Sequence, residues 1–424
     1  MTAEPSAPAA RRWPLRVAVA LAVVAVAAWQ GRVHYAAWQH LKAGRAALAD
    51  GDAKSAGTHL SQCLDDWPRS AEAHFLAGRA ARKCGDAPAA LRHLDAAAGF
   101  GFDAGEIELE RALLLASAGG TDRVEALLAR HLEAGHAAGA DIGAALAPFY
   151  LAQFRLPEAA AVATKWTEAD PRSTRAWEVS ADVFERLRRR EPAAESLRAL
   201  VRLAPHERRP RAALVRLLLE LRQATDEAVG HAEWLARTAP GDPAAAVLLA
   251  SCREAQGRAD EAMNILDDAL KGAPKDAPAL HLRGKLEMNR GRHADALPFL
   301  RRGAEADRSD VQLLYSLFVC LQSVGTPAEA REAEARWKRC ETDLGRVREL
   351  SIQVSQQPNK PELRREIGEL FLRHGRDADG VRWLESALQL DPAHAPTHAA
   401  LAAHFERTGD AARAAEHRTR ARRP

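Results

Sequence analysis

Glycine returns every 34 residues along this chain. Gly51, Gly85 and Gly119 keep that spacing, as do Gly257, Gly291 and Gly325, and then Gly375 and Gly409. Alanine repeats independently at Ala159, Ala193, Ala228, Ala262, Ala296 and Ala330, with steps of 34 or 35. Proline forms a third series at Pro171, Pro205, Pro240 and Pro274. One period held by three residue types means that the 424 residues build a stack of similar small units, each packed on its neighbours, and not one large core.

Each register has a physical meaning. The glycine follows an amphipathic stretch, where a left-handed residue ends a helix without a Cβ penalty. The alanine falls on a second helix, where a small side chain lets two helices approach closely. The proline follows that second helix and stops it. Apolar residues between these marks recur at i, i+3 and i+4, and aromatics make up only 5% of the chain. The unit is helix–turn–helix and the expected class is all-α.

These residues resemble the tetratricopeptide repeat (TPR) family. Its pattern has a Trp or other large residue fourth, Leu seventh, Gly or Ala eighth, an aromatic eleventh, Ala twentieth, a large residue twenty-fourth, Ala twenty-seventh and Pro thirty-second. From Thr174 these places hold Trp177, Ser180, Ala181, Phe184, Ala193, Leu197, Leu200 and Pro205. From Pro361 they hold Arg364, Ile367, Gly368, Phe371, Gly380, Leu384, Ala387 and Pro392. The first repeat keeps Gly44, Ala56, Leu60 and Pro68, whereas Ser180, Arg364 and Gly380 depart from the pattern. The resemblance implies a right-handed superhelical solenoid of about eleven repeats, starting near Ala37, Ala71, Gly105, Ala140, Thr174, Arg209, Pro243, Ala277, Val311, Pro361 and Ala395. The third is degenerate, with Val124 at the alanine place.

The expected organisation is a polar tail over 1–12, a membrane-spanning signal anchor over 13–31, about nine repeats over 36–337, an inserted or lengthened helix over 338–360, and further repeats with a basic capping helix over 361–424. The insertion follows from the step between Ala330 and Gly380, which is 16 residues too long. The anchor rests on the apolar run Val17–Trp29, flanked by Arg16 and Arg32 with Trp13 and Trp29 near its ends. That run has 13 residues where a perpendicular span needs ~20, so snorkelling arginines are part of the reading. A cleaved signal peptide, with Ala25-Val26-Ala27 as the small-x-small site, and a buried helix are the alternatives. An anchored chain would be a single-pass membrane protein of a bacterium, its bulk outside the inner membrane and a cytoplasmic orientation still open.

No motif for catalysis stands out. A phosphate loop, H-E-x-x-H and G-x-S-x-G are all missing, so no enzyme activity, cofactor, metal or small-molecule substrate is expected. Gly99-Phe100-Gly101-Phe102 lacks the Lys of a phosphate loop. Cys63, Cys84, Cys252, Cys320 and Cys340 are scattered and read as small core residues. His394, His398 and His404 read as exposed helix residues. A net charge of +3 and an Arg run near Arg186–Arg216 interleaved with Glu, with few aromatics, argue against nucleic acid.

The resemblance places positions two, five, nine and twelve of each repeat on a concave, partner-binding face. The seventh to ninth repeats keep the most regular spacing, and there Val247, Ser251, His281, Lys285, Tyr315 and Val319 are the candidate contacts for an extended or helical segment of another protein. Lys285 has no Asn at the place a carboxylate clamp requires. The expected function is a membrane-anchored protein-binding scaffold for assembly or recruitment in the cell envelope. Its alternatives are a non-catalytic, substrate-presenting subunit of an envelope enzyme complex, such as a glycosyltransferase or secretion system, and a structural component of a large assembly.

Overall fold

A computed structural model describes residues 13–153, 155–222 and 226–422, with the side chains of residues 13–20 and 355 left aside. The tail over 1–12 lies outside the described residues. The chain divides into two compact halves, residues 1–203 and 204–424. All regular structure among the described residues is helical.

The N-terminal half contains α1 (Trp13–Ala49), α2 (Ala53–Asp66), α3 (Ala71–Lys83), α4 (Ala87–Gly99), α5 (Ala104–Ser117), α6 (Thr121–Glu133), α7 (Gly139–Ala152), α8 (Leu156–Ala169), α9 (Thr174–Arg186) and α10 (Arg190–Leu203). The C-terminal half contains α11 (Arg208–Glu220), α12 (Asp226–Thr238), α13 (Pro243–Ala255), α14 (Ala259–Gly272), α15 (Ala277–Asn289), α16 (His293–Ala306), α17 (Val311–Val324), α18 (Pro327–Gln356), α19 (Pro361–Arg373), α20 (Asp377–Leu390), α21 (Ala395–Thr408) and α22 (Ala411–Ala421). Odd helices are the first of each pair and even helices the second. First helices also adjoin each other, as in α1–α3–α5–α7–α9 and in α11–α13–α15–α17.

The turn inside each pair explains the glycine register. Gly51, Gly85, Gly119, Gly257, Gly291, Gly375 and Gly409 all have φ between +76° and +89°. Where glycine is missing, Arg188 and Arg222 adopt φ of 57° and 55° in the same turn. The hydrogen bonds are equivalent: Gly85 N–H donates to Arg82 O, and Arg188 N–H to Glu185 O. Gly325 is the exception, with φ −90° and ψ 178°. There the chain extends, and Thr326 starts α18 with a reciprocal capping box to Glu329.

Helix pairs close on the eighth position. A Cβ on Gly78 or Gly284 would come within 3.0 or 2.8 Å of the Leu94 or Leu300 side chain. At Gly368 it would meet Leu384 Cγ at 2.7 Å and the carbonyl oxygen of Gly380 at 2.9 Å. Gly380 therefore stands in the alanine place because α19 and α20 touch backbone to backbone. Ser180, the second departure, is buried and bonded to Ser196 Oγ at 2.9 Å, which satisfies both hydroxyls across α9 and α10.

The fourth position also has a consistent job. It donates to the carbonyl of the proline six residues earlier, at the end of the preceding helix. Trp177 Nε1 reaches Pro171 O at 2.9 Å, His74 Nε2 reaches Pro68 O at 3.1 Å, and Arg211 reaches Pro205 O at 2.7 Å. Arg364, the third departure, reaches Pro358 O at 3.0 Å and so keeps the donor that Trp supplies. Leu280 has no donor, and Arg302 bonds Pro274 O instead at 2.6 Å. Each contact ties the turn carbonyl that follows one helix to a side chain of the next repeat.

The excess residues near Lys338–Lys360 enter α18, which runs for 30 residues. Its first part packs Ala333, Trp337 and Cys340 against α17. Its later part sets Val347 and Leu350 against Ile367, Leu370 and Phe371 of α19.

The N-terminal reading needs correcting. Among the described residues no helix is long and apolar enough to cross a membrane. The helix α1 is long, at 37 residues, but its apolar run ends at Trp29 and gives way to Gln30, Arg32 and His34. From Ala37 it becomes an ordinary repeat helix, with Ala37 and Leu41 packed on Ala56 and Leu60 of α2. The single-pass membrane placement, the exoplasmic location and membrane as a partner fall with the span. The histidine reading also changes, because His398 and His404 are buried. Cys63, Cys252, Cys320 and Cys340 are buried, and Cys84 is exposed. Phe100 and Phe102 of the Gly-Phe-Gly-Phe stretch stack on His74 and Phe75, with centroids 5.5 and 4.2 Å apart.

Candidate functional site

First helices carry the residues proposed for partner contact. Asp276 and Asp310 cap α15 and α17 and fix where each starts. That start sets which side chains face the neighbouring first helix. His281 Nε2 lies 3.0 Å from Ser316 Oγ on α17, and its Nδ1 lies 3.8 Å from Asp310. Burial lowers the His281 pKa, Asp310 opposes that, and Lys285 adds to it. His281 is thus a neutral bridging group near pH 7. Lys285, about half exposed, is the cation of this face, with Glu254 of α13 at 3.7 Å. Asn289 Nδ2 donates to the same Glu254 at 3.3 Å.

Tyr315 is 44% exposed. Its ring rests 5.0 Å from Trp337 and 6.3 Å from Phe318, and Trp337 stacks on Phe318 at 5.7 Å. The result is an aromatic ledge with one open ring, next to the His281–Ser316 bridge. Ser251 turns its hydroxyl back to Val247 O within α13 at 2.8 Å. Val247 packs against the cluster of Ala250, Leu266 and Leu280, and Val319 against that of Leu313, Leu317 and Cys320. Lys285 and Tyr315 are thus exposed on this face, whereas His281, Val247 and Val319 are half-buried, the two valines at the margins of those clusters.

Glu254, Asn289, Ser316 and Trp337 complete the face. Glu254 occupies a twelfth position and was accessible to the repeat register. Trp337 sits on a second helix where the family has alanine, and no first-helix argument reaches it.

The equivalent face of the N-terminal half is built differently. A cavity of about 500 Å³ opens between α1, α3, α7 and the end of α8, lined by Arg45, Leu48, Arg79, Lys83 and Asp141 among others. Its charges are consumed internally. Glu110 is fully buried and takes Arg79 at 2.5 Å and Arg82 at 2.8 Å. Arg82 and Lys83 each reach Asp141 at 2.6 Å. Burial pushes the Asp141 carboxyl up, but Arg82 and Lys83 outweigh it and hold it below its ordinary value. Arg45 pairs with Glu72.

Two family models, both described as tetratricopeptide repeat, match residues 41–106 and 222–286, one in each half. No curated protein matches the chain. Among solved structures, PilW, titled a widely conserved type IV pilus biogenesis factor, is 21% identical, covering 46% of this chain and 91% of that one with a TM-score of 0.39. MamA (41-end) from Desulfovibrio magneticus RS-1 is 16% identical, covering 41% of this chain and 97% of that one with a TM-score of 0.36. YrrB, titled a TPR protein with an unusual peptide-binding site, is 16% identical, covering 48% and 97% with a TM-score of 0.29. At these scores none of the three bears on what this chain binds. The repeat matches in both halves, together with the helix pairs and turns that hold their register, make this chain a tetratricopeptide-repeat protein.

Proposed function

We propose that the chain is a non-catalytic scaffold that holds a segment of another protein across α13, α15 and α17. The observation that carries this is the open side of that face, where Tyr315 is exposed on an aromatic ledge beside Lys285. Tyrosine supplies a large contact area with few rotors, which suits an interface anchor. The Lys285–Glu254 pair is solvated and loosely spaced, so a partner carboxylate can replace Glu254 at little cost. His281 and Asn289 add neutral polar contacts. The segment that fits is extended or helical, mildly acidic and partly apolar, with its apolar side chain on Tyr315 and an acidic one on Lys285.

A peptide library displayed on phage, selected against the full chain, tests this. Fluorescence polarisation then compares the recovered peptides on the wild-type chain, Tyr315→Ala, Lys285→Glu and Arg45→Ala. The first two substitutions should each weaken binding by roughly 1–2 kcal/mol, as interface anchors do. Arg45→Ala should leave binding as it is. Peptides indifferent to Tyr315 and Lys285 would contradict the assignment.

A further inference from the structure

We infer that α1 pairs antiparallel with α1 of a second copy of this chain, along a seam of Leu21, Val24, Ala28, Gly31, Tyr35 and Trp38. The helix has two parts. From Val33 onward one side is covered by its own chain: Ala37 and Leu41 pack on Ala56 and Leu60, and Trp67 Nε1 donates to His34 Nδ1 at 2.8 Å. Every residue from Leu21 to Arg32 is exposed, over about three turns. Leu21 and Val24 are each 65% exposed, Tyr35 63% and Trp38 46%. A helix with apolar residues on all sides is normally buried, because that surface gains by leaving water.

The attachment of α1 to its own repeat selects the side. At 100° per residue the six seam residues fall in one strip about 100° wide, and that strip lies away from Ala37. Their spacing alternates between three and four residues, the 3.5-residue period of a two-helix seam. None of them is charged. The Tyr35 and Trp38 rings lie 6.1 Å apart, and Gln39 Nε2 donates to the Tyr35 hydroxyl at 2.7 Å. Lys42 Nζ, 5.5 Å from the Trp38 ring, marks the polar end of the strip. Val23 and Val26 are exposed too. They lie in line with Ala37 and Leu41, however, and a second helix laid along them would run into α2.

Side-chain volumes select the direction. A parallel pair sets each residue on its own copy, so that Trp38 meets Trp38 and Tyr35 meets Tyr35 at one end. In an antiparallel pair Leu21 faces Trp38 of the second copy, Val24 faces Tyr35, and Ala28 faces Gly31. Each ring then lands on an aliphatic side chain, and the small layers meet in the middle, where the backbones come closest. The two sets of repeats leave from opposite ends of the seam and do not crowd each other. Leu21–Trp38 spans ~26 Å of helix, so pairing buries on the order of 600 Å² per copy, the lower end for a stable interface. The dimer should therefore be reversible, with half association at about micromolar chain.

Sedimentation equilibrium of the full chain, from submicromolar to tens of micromolar, tests the inference. The wild-type chain should pass from monomer to dimer. Val24→Lys sets an ammonium against Tyr35 of the other copy and should raise the dissociation constant by at least about tenfold. Val26→Lys makes the same change on the other side of the helix and should leave the constant within about twofold. Both valines are exposed, so the helical circular dichroism should be the same in all three proteins. Oxidation of mixed Leu21→Cys and Trp38→Cys chains, in a Cys84→Ser background, should give mainly the disulfide between the two variants. A chain monomeric at every concentration would overturn the inference, whether or not it sediments with phosphatidylcholine vesicles. So would equal weakening by the two lysine substitutions, or a preference for disulfides between identical variants.

Discussion

The first helices of the two halves present the same repeat positions and use them in opposite ways. In the N-terminal half, α3, α5 and α7 spend those positions on a buried ion network centred on Glu110. In the C-terminal half, α13 and α15 present a half-exposed, loosely spaced pair, Lys285 with Glu254, and α17 an exposed ring, Tyr315. The repeat supplies a face in both places. Whether that face can take a partner depends on whether its charges are already neutralised inside the chain, because a ligand cannot easily outcompete a buried carboxylate held by two arginines.

The contrast is broken most severely at Glu110. Glu110→Ala removes the buried acceptor shared by Arg79 and Arg82, leaving Arg82 with Asp141 and Arg79 with the more distant Glu106, and should cost about 3 kcal/mol, read as a fall in urea midpoint for the N-terminal half. The matching change Lys285→Ala should cost less than about 1 kcal/mol, because Lys285 is half exposed and its pair is loosely spaced. Equal losses would dissolve the distinction. The network also has a pH signature. Since Arg82 and Lys83 hold Asp141 below its ordinary value, its stabilisation is present above about pH 4 and is lost as pH falls further through the folded-state value. Asp141→Asn should flatten that acid limb of the stability curve.

The next effect probes packing in the half that keeps its face open. Gly368→Ala puts a Cβ on the Gly380 carbonyl, where no flexible side chain can yield, and should cost about 1–3 kcal/mol in thermal stability. The smallest expected effect is a gain. Arg188 carries φ of 57° where other repeats have glycine. Relieving left-handed strain of about 1–2 kcal/mol, less the entropy cost of glycine, Arg188→Gly should stabilise the N-terminal half by about 0.5 kcal/mol.

The sequence disclosed what the repeat period imposes. The turn glycines, the close-approach alanines and the helix-stopping prolines all follow from backbone geometry, which recurs every 34 residues and so is visible as a period. What it concealed depends on contacts between distant positions. Arg82 and Asp141 are 59 residues apart and nothing local marks them as partners. Arg364 looked like a defect in the pattern, yet it replaces the Trp donor to the proline carbonyl. Tyr315 and Lys285 are exposed, whereas Val247 and Val319 are half-buried because a strip of helix surface shared with two neighbours covers part of its own width. The N-terminal apolar run suggested a span because composition was weighed over a short window. The helix that contains it turns polar after Trp29 and continues into the first repeat.

The most direct test of the open-face account is a hydrogen-exchange footprint of the full chain with and without a peptide recovered from the displayed library. The account predicts new protection in α13, α15 and α17, centred on Lys285 and Tyr315, with α3, α5 and α7 unchanged. Protection confined to α3, α5 and α7, or to second helices in either half, would contradict it.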